Sequence, residues 1–305
     1  MKRYWFNKLI SVALVLVVAL AVFAISCAPK TEATEEIRVV VSILPQAEFA
    51  ESVGGDKVVV TVMVPPGYEP HTYTPTPSQL AALKQADMYA KVGSGVEFEL
   101  AWMDNIIEAN KNMLVVDCSK GIELAEMVEH HHEGEEQEAE HHHHGKDPHI
   151  WLSPKNAKIM VENICDGLIQ IDPENKEYYT QNTDKYLAKL DKLDEDIKSS
   201  LAGITNRSFI VFHPAWGYFA RDYDLEQIPV QIEGKNPSTK DVANLIQEAK
   251  EHNIKVVFAS PQFDVKSART LANAIDGRVA FINPLARDYI NNMHMVLGEL
   301  SQGME

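Results

Sequence analysis

The sequence predicts an α/β protein with two βα lobes, each with a mainly parallel four-stranded sheet, joined by one long rigid helix. Short apolar runs alternate with helical periodicity over residues 37–116, and the same alternation returns over residues 204–300. Between these halves, residues 173–201 contain no glycine or proline after Pro173 and repeat apolar side chains at helical spacing. The length of 305 residues is enough for two such lobes with their own cores.

Composition excludes several classes of protein. The chain is 45% apolar and 24% charged, which is typical neither of a disordered chain nor of a protein with many membrane spans. Lys and Arg number 28 against 44 Asp and Glu, and the net charge of −16 argues against nucleic-acid binding. Three cysteines are too few for a disulfide-dense scaffold. A single disulfide between Cys118 and Cys165 would be compatible with an oxidising compartment.

Residues 1–26 have the features of a secretory signal peptide. Basic residues precede an almost wholly apolar run at 9–25, and the chain turns polar soon after Cys27. A small residue before this cysteine is typical of a prokaryotic lipoprotein signal, so we expect Cys27 to become a lipidated N-terminus and residues 27–36 to form a tether. The alternatives are an uncleaved membrane anchor and soluble secretion, and all three place the remaining chain outside the cytoplasm.

The N-terminal lobe is expected to span residues 37–171. Its apolar runs predict buried parallel strands, and glycine and proline signals separate them from the helical segments. Strands are expected at 37–43, 57–64, 87–92 and 113–116, and helices at 45–53, 78–86 and 97–110. This βα repeat implies a parallel sheet with helices on both faces.

Residues 172–203 are expected to form the linking helix. Its continuous helical part of about 29 residues would measure about 43 Å, which suits a connection between two lobes. The C-terminal lobe is expected over residues 204–305, where the alternation resumes. Strands are expected at 207–212, 227–232, 255–259 and 278–282, and helices at 216–222, 238–252, 265–275 and 285–300.

Three of the 12 histidines lie in proline-flanked loops that could hold a metal ion. His71 and His213 each follow a predicted strand, where open α/β sheets place their binding residues, and His149 lies in the segment DPHIWLSP. Zn²⁺ takes about four nitrogen, sulfur or oxygen ligands, which three imidazoles and one oxygen would satisfy. A histidine in such a loop can equally be bonded to the backbone, and no HExxH or CxxC motif decides between these interpretations.

Seven further histidines are concentrated in residues 129–146 together with six glutamates. This segment has no apolar side chain larger than alanine, so it cannot bury a core and is expected to be disordered. We expect it to act as a flexible, low-affinity chelator of Zn²⁺; a solvated acidic loop and an expression tag are the alternatives. The histidines concerned are His130, His131, His132, His141, His142, His143 and His144.

Four segments resemble the substrate-binding lipoproteins of zinc and manganese ABC importers. They are PPGYEPHTYTPTPSQL, DPHIWLSPKNA, FHPAWGYFARDY and NPLARDY, and the resemblance covers essentially residues 37–300. It implies a metal held in the cleft between the lobes by His71, His149 and His213. Histidine at the third position is typical of zinc-type members, and glutamate of several manganese-type members, so the resemblance favours Zn²⁺ over Mn²⁺. Zinc-type members also carry a His-rich loop between the first two ligands, as this chain does.

The fourth ligand position departs from the family pattern. The family often has an aspartate in a D-P-L segment before the last helix, where this sequence has Asn283-Pro284-Leu285. An amide oxygen can bind a metal but carries no charge. We therefore expect Asn283 to be either a ligand or a neighbour of the ligands, with water, Asp288 and Glu69 as the other candidates.

The resemblance implies a monomeric protein, anchored by lipid outside the cell membrane, that captures Zn²⁺ and delivers it to an ABC permease whose ATPase is on separate chains. We expect no catalytic activity and no nucleic-acid partner. A manganese or mixed-metal binding protein is one alternative. An extracytoplasmic zinc hydrolase with Glu69 as its base is another, because three histidines with an open fourth position also describe a catalytic zinc. An adhesin or a passive metal buffer would be compatible with the same site.

Overall fold

The computed structural model describes residues 36–127, 145–231, 237–262 and 265–304. The predicted signal peptide, Cys27 and nearly all of the tether lie outside the described residues, as do the seven clustered histidines. None of the helices within the described ranges combines the length and hydropathy needed to cross a bilayer.

The N-terminal half forms a four-stranded parallel sheet with the strand order β2-β1-β3-β4. This part of the prediction is confirmed, and the observed elements lie within a few residues of the expected ones. They are β1 (Ile37–Val41), α1 (Leu44–Gly54), β2 (Val58–Val62), α2 (Pro77–Leu83), β3 (Met88–Lys91), α3 (Glu97–Ala109) and β4 (Leu114–Asp117). Continuous burial of β1 explains its run of valines, because a central parallel strand is covered on both faces.

Two long helices follow the first half of the chain. Helix α4 (Pro154–Ile171) lies in a segment for which no helix bounds were predicted, and Ser153 caps its N-terminus by accepting a hydrogen bond from the backbone N–H of Asn156 at 3.1 Å. Helix α5 (Lys176–Leu201) contains 26 residues and follows a short 3₁₀ turn at Pro173–Asn175, so the α-helix begins four residues after the start of the expected span 172–203. It contacts α1 and α4 of the first half and the last helix of the chain.

The C-terminal half repeats the topology, with the parallel strand order β6-β5-β7-β8. Strand β6 lies at the edge of the sheet, where Pro229 can be accommodated without loss of a ladder hydrogen bond. The elements are β5 (Ser208–Val211), α6 (Gly217–Asp222), β6 (Glu226–Pro229), α7 (Thr239–Glu251), β7 (Val256–Ala259), α8 (Lys266–Ala274), β8 (Arg278–Phe281) and α9 (Tyr289–Met304).

One large apolar core extends from the first half into the second. It includes Val39 and Phe49 of the N-terminal lobe, Leu190 of α5, and Phe209 and Leu300 of the C-terminal lobe. A second, smaller core covers the other face of the C-terminal sheet. Because the lobes share buried side chains, separating them would expose apolar surface to water.

Cys118 and Cys165 are both buried free thiols, so the disulfide considered from the sequence is not formed. Burial raises the pKa of both thiols, most strongly that of Cys118. These groups therefore behave as small apolar side chains within the N-terminal lobe.

Candidate metal centre

The imidazoles of His71, His149 and His213 converge between the lobes. Nε2 of His213 lies 3.3 Å from Nε2 of His71 and 3.3 Å from Nε2 of His149. One ligand atom from each ring lies within 4.8 Å of the others. Two nitrogens bound to one tetrahedral Zn²⁺ at about 2.0–2.1 Å are about 3.3 Å apart. Two of the three pairs of ligand atoms therefore have the separation that such an ion requires.

Each histidine lies on a loop that follows a structural element. His71 is on the long connection between β2 and α2 and is partly exposed, with 24% of its side chain accessible. His149 precedes the 3₁₀ turn Ile150–Leu152 that leads into α4, and it is buried. His213 follows β5 and is also buried. Two of the three side chains are thus enclosed by protein, and the third is partly accessible to solvent.

Every one of these rings has an oxygen acceptor near its second nitrogen. Nδ1 of His71 is 2.7 Å from Oε2 of Glu97, and Nδ1 of His149 is 2.8 Å from Oδ1 of Asp147. Nδ1 of His213 is 3.3 Å from Oε1 of Gln231. Acceptors at Nδ1 hold the proton there and leave the Nε2 lone pair free for a metal.

Sequence reasoning missed these acceptors. Only Asp147 carried a local signal, because it stands two residues before His149 and also accepts a hydrogen bond from the backbone N–H of His149 at 2.9 Å. Glu97 and Gln231 are 26 and 18 residues away from the histidines that they contact, on different elements. Nothing in their local sequence identifies them.

The electrostatics favour a neutral imidazole at His213 and an anionic carboxylate at Glu97. Burial lowers the pKa of His213 well below its usual value, and the charges of His149 and His71 lower it further, while the hydrogen bond to Gln231 opposes them. Burial alone would raise the pKa of Glu97, but the hydrogen bond with His71 and the charge of that ring outweigh it, so the pKa is lowered. At neutral pH this arrangement offers a free lone pair and a charged acceptor to an incoming cation.

The walls of the cavity are mainly apolar. They include Pro70, Val96, Trp151 and Leu285 around the three imidazoles. Glu69 also lines the cavity, and burial raises its pKa against the opposing influence of His71. Apolar walls exclude water and therefore strengthen the interaction of a cation with its ligands.

Asn283 is not among the residues that line this cavity. Its Oδ1 accepts hydrogen bonds from Nε2 of Gln262 at 2.7 Å and from the backbone N–H of Leu285 at 2.9 Å. The next carbonyl, that of Pro284, accepts a hydrogen bond from the indole of Trp151 at 2.7 Å. The asparagine thus holds the turn that brings Pro284 and Leu285 to the cavity. A direct bond from Asn283 to a metal remains a prediction.

The other two candidates for the fourth position differ in their placement. Asp288 stands just before α9, where its carboxylate accepts a hydrogen bond from Asn291 at 2.8 Å, and it does not line the cavity. Glu69 does line it. Of the described carboxylates proposed from the sequence, only Glu69 is therefore near the three imidazoles.

The described residues that flank the segment 128–144 lie close to the partner of His149. These residues pair in antiparallel fashion: Glu126 is bridged to Lys146, and the backbone N–H of Asp147 donates to the carbonyl of Ala125 at 2.9 Å. We call residues 125–127 and 145–147 the stem. The last residue of the stem is the aspartate that contacts His149.

Two α/β lobes with parallel sheets are joined by a long helix, and three imidazoles converge between them. These features define a substrate-binding protein of a metal importer. The chain belongs to the family described as ZnuA, the periplasmic component A of the zinc-uptake complex, whose sequence profile matches residues 39–303. The resemblance inferred from the four sequence segments is confirmed.

Individual relatives agree with this assignment. The chain is 36% identical over 258 residues to the high-affinity zinc uptake system protein ZnuA of Bacillus subtilis, covering 82% of this chain and 79% of that protein. It is 30% identical over 263 residues, 82% of this chain, to the zinc-binding protein AdcA of Streptococcus pyogenes and spans 50% of its length. A crystal structure of ZnuA matches with a TM-score of 0.82 and 40% identity, covering 89% of this chain and 100% of that one. The metal-dependent lipoprotein YcdH of Bacillus subtilis matches with a TM-score of 0.73 and 31% identity, covering 88% and 99% of the two chains.

Proposed function

We propose that this protein captures Zn²⁺ between its lobes through Nε2 of His71, His149 and His213 and delivers it to the permease of an ABC importer. The observation that carries the proposal is the 3.3 Å spacing of the Nε2 atoms, together with an acceptor at each Nδ1. Membership of a zinc-uptake family and relatives named for zinc uptake support the same cargo.

The donor set favours Zn²⁺ over Mn²⁺. Three imidazoles suit a borderline-soft cation, whereas Mn²⁺ prefers carboxylate, carbonyl and water oxygens. We propose that water or Glu69 supplies the fourth ligand, because Glu69 lines the cavity and Asn283 already accepts two hydrogen bonds through Oδ1. Asn283 then shapes the wall at Pro284 and Leu285.

We further propose that the chain works as a monomer outside the cytoplasm, attached to the membrane by a lipid on Cys27 after removal of residues 1–26. The description of the family as periplasmic supports the compartment. The permease and the ATPase that drives it would be separate chains. The histidine tract, His130–His132 and His141–His144, would collect Zn²⁺ weakly near the cleft, because its stem ends beside His149.

Competitive titration of Zn²⁺ and Mn²⁺ tests the site. We expect one tight Zn²⁺ site in the wild-type protein and its loss or severe weakening in His71→Ala, His149→Ala and His213→Ala. His252→Ala is the matched control, because this exposed histidine follows α7, away from the cavity. Equal affinity in the control and in all three variants, or tighter binding of Mn²⁺, would contradict the proposal.

Deleting residues 129–144 separates the two classes of zinc site. We expect the deletion to lower the number of bound zinc ions while one tight site remains. Loss of the tight site would show that the tract itself supplies ligands. Retention of every zinc ion would show that its histidines do not bind the metal.

A zinc hydrolase remains the rival, since Glu69 with its raised pKa lies in the cavity where a base would be needed. Esterase and peptidase assays on the zinc-loaded protein distinguish the two functions. We expect the zinc-loaded wild-type protein to show no more turnover than the His213→Ala variant mixed with the same amount of Zn²⁺. Turnover that Glu69→Gln abolishes would establish the hydrolase.

A further inference from the structure

We propose that Gly217 and Tyr218 are positioning residues for the metal centre and that they fix the imidazole of His149 from the opposite lobe, through Asp147. Neither residue is among those that line the cavity. The inference rests on the proposed function, since it concerns how the same site holds Zn²⁺.

Asp147 is held tightly at both its side chain and its backbone. Oδ1 accepts hydrogen bonds from Nδ1 of His149 at 2.8 Å and from the backbone N–H of His149 at 2.9 Å. The backbone N–H of Asp147 donates to Ala125, and its carbonyl accepts from the hydroxyl of Tyr218 at 3.0 Å. With 3% of the residue exposed, water has little access to replace these contacts.

The hydroxyl of Tyr218 joins both sides of the stem. It accepts a hydrogen bond from the backbone N–H of Ala125 at 3.0 Å while donating to the carbonyl of Asp147. The tyrosine ring is fully buried, and the guanidinium of Arg221 lies 5.0 Å from its centroid. One hydroxyl in the C-terminal lobe therefore fixes the position of both stem segments relative to that lobe.

Gly217 provides the space that the carboxylate of Asp147 occupies. A β-carbon at this position would lie 2.5 Å from Oδ2 of Asp147. This is closer than real β-carbons approach another heavy atom, so any larger residue would displace the carboxylate. The requirement for glycine is steric here and arises from the contact with Asp147.

The same segment also carries His213. Its carbonyl accepts a hydrogen bond from the backbone N–H of Ala215 at 2.8 Å, and the backbone N–H of Trp216 donates to Oε1 of Gln227 at 2.7 Å. Gly217 and Tyr218 follow directly. The segment 213–218 therefore holds the imidazole of His213 and also positions Asp147, the partner of His149. In this way it sets the 3.3 Å separation between Nε2 of His149 and Nε2 of His213.

Two substitutions test the inference in the full chain. Tyr218→Phe removes one oxygen and keeps the ring, and we expect it to weaken Zn²⁺ binding by about 3- to 30-fold, given the effects of single hydrogen bonds and of residues behind metal ligands. Gly217→Ala should weaken binding at least as much. Affinity is measured by competition with a chromophoric chelator that binds Zn²⁺ more tightly than the histidine tract does.

Each substitution has a matched control. Tyr223→Phe removes another buried hydroxyl of the same region, one that donates to Asp194 at 2.9 Å and does not reach Asp147. Gly298→Ala adds a β-carbon at a helical glycine with open space around it. We expect both controls to bind Zn²⁺ within about twofold of wild type, since neither contacts the metal centre.

The absorption spectrum of the Co²⁺-loaded protein separates positioning from simple destabilisation. Displacement of His149 should alter the ligand-field bands in Tyr218→Phe but not in Tyr223→Phe. Unchanged Zn²⁺ affinity and an unchanged Co²⁺ spectrum in Tyr218→Phe, with only a lower melting temperature, would overturn the inference while leaving the proposed function intact. A wild-type protein without a tight zinc site would overturn both. If Gly217→Ala does not fold, Tyr218→Phe still decides the matter.

Discussion

The two carboxylates behind the ligands provide a graded test of the metal centre. Asp147 and Glu97 contact Nδ1 of His149 and His71 at 2.8 and 2.7 Å, so their geometry is nearly the same. Their exposure differs, because 5% of the Asp147 side chain is accessible against 46% of that of Glu97. Charges in a buried setting are screened less than charges near water, so the negative charge of Asp147 should support the bound cation more strongly.

The isosteric variants Asp147→Asn and Glu97→Gln remove these charges and keep the size of each side chain. Loss of such a partner weakens metal binding by about 10- to 100-fold. We expect Asp147→Asn near the upper end, about 2.7 kcal/mol, and Glu97→Gln at or below the lower end, about 1.4 kcal/mol. Zinc competition titration measures both, with Asp87→Asn as the control, since Asp87 is paired with Arg38 instead. A larger loss of zinc affinity in Glu97→Gln than in Asp147→Asn would refute the reasoning, as would an affinity within twofold of wild type in both variants.

Three further outcomes follow from the structure. Below about pH 6.5 the unfolded chain binds a proton at His213, whereas the folded chain resists it, so the metal-free protein should lose stability as the pH falls, by up to about 1.4 kcal/mol per pH unit from this group. Urea unfolding at pH 7.5 and 5.5 measures the effect, and the free energy of unfolding should depend less on pH in His213→Gln than in the wild type. An equal pH dependence in the two proteins would contradict the assignment. Leu190→Ala should lower the free energy of unfolding by about 3 kcal/mol, because this fully buried side chain of α5 lies in the core that both lobes share; a loss below 1 kcal/mol in urea titration would contradict it. A thiol reagent should leave Cys118 and Cys165 unmodified in the native protein and modify both after unfolding, and rapid native labelling would contradict their burial.

The alternation of strands and helices was readable from the sequence because it depends on local periodicity. Valine runs such as that of β1 and the seven-residue spacing in α5 identify their elements without any long-range information. The bounds of helix α4 were not predicted, although Ser153 caps it and the apolar residues Met160, Ile164 and Leu168 recur every four residues.

The site was predictable only in part. The spacing of His71, His149 and His213 along the chain gave no local metal motif. Their proline-flanked loops grouped them as a candidate site, and the family resemblance was needed to favour metal binding over hydrogen bonding to the backbone. Glu97 and Gln231 could not have been found, because their contacts exist only after the loops that carry them come together. Asn283 was selected by its position in the family motif, whereas its hydrogen bonds to Gln262 and Leu285 depend on the fold of the C-terminal lobe.

The contacts between the lobes bear on how such a site can open. Glu48 of α1 accepts hydrogen bonds from the hydroxyl of Tyr186 on α5 and from the backbone N–H of Tyr289 at the start of α9. The indole of Trp151 donates to the carbonyl of Pro284 across the same boundary. A large rotation of one lobe against the other would break these bonds and expose the shared core. The imidazole of His71 is less enclosed, because 24% of its side chain and 46% of that of its partner Glu97 are accessible, against 5% for both His149 and Asp147. Entry and release of the cation through movement of the loop that carries His71 therefore require less rearrangement than opening of the lobes.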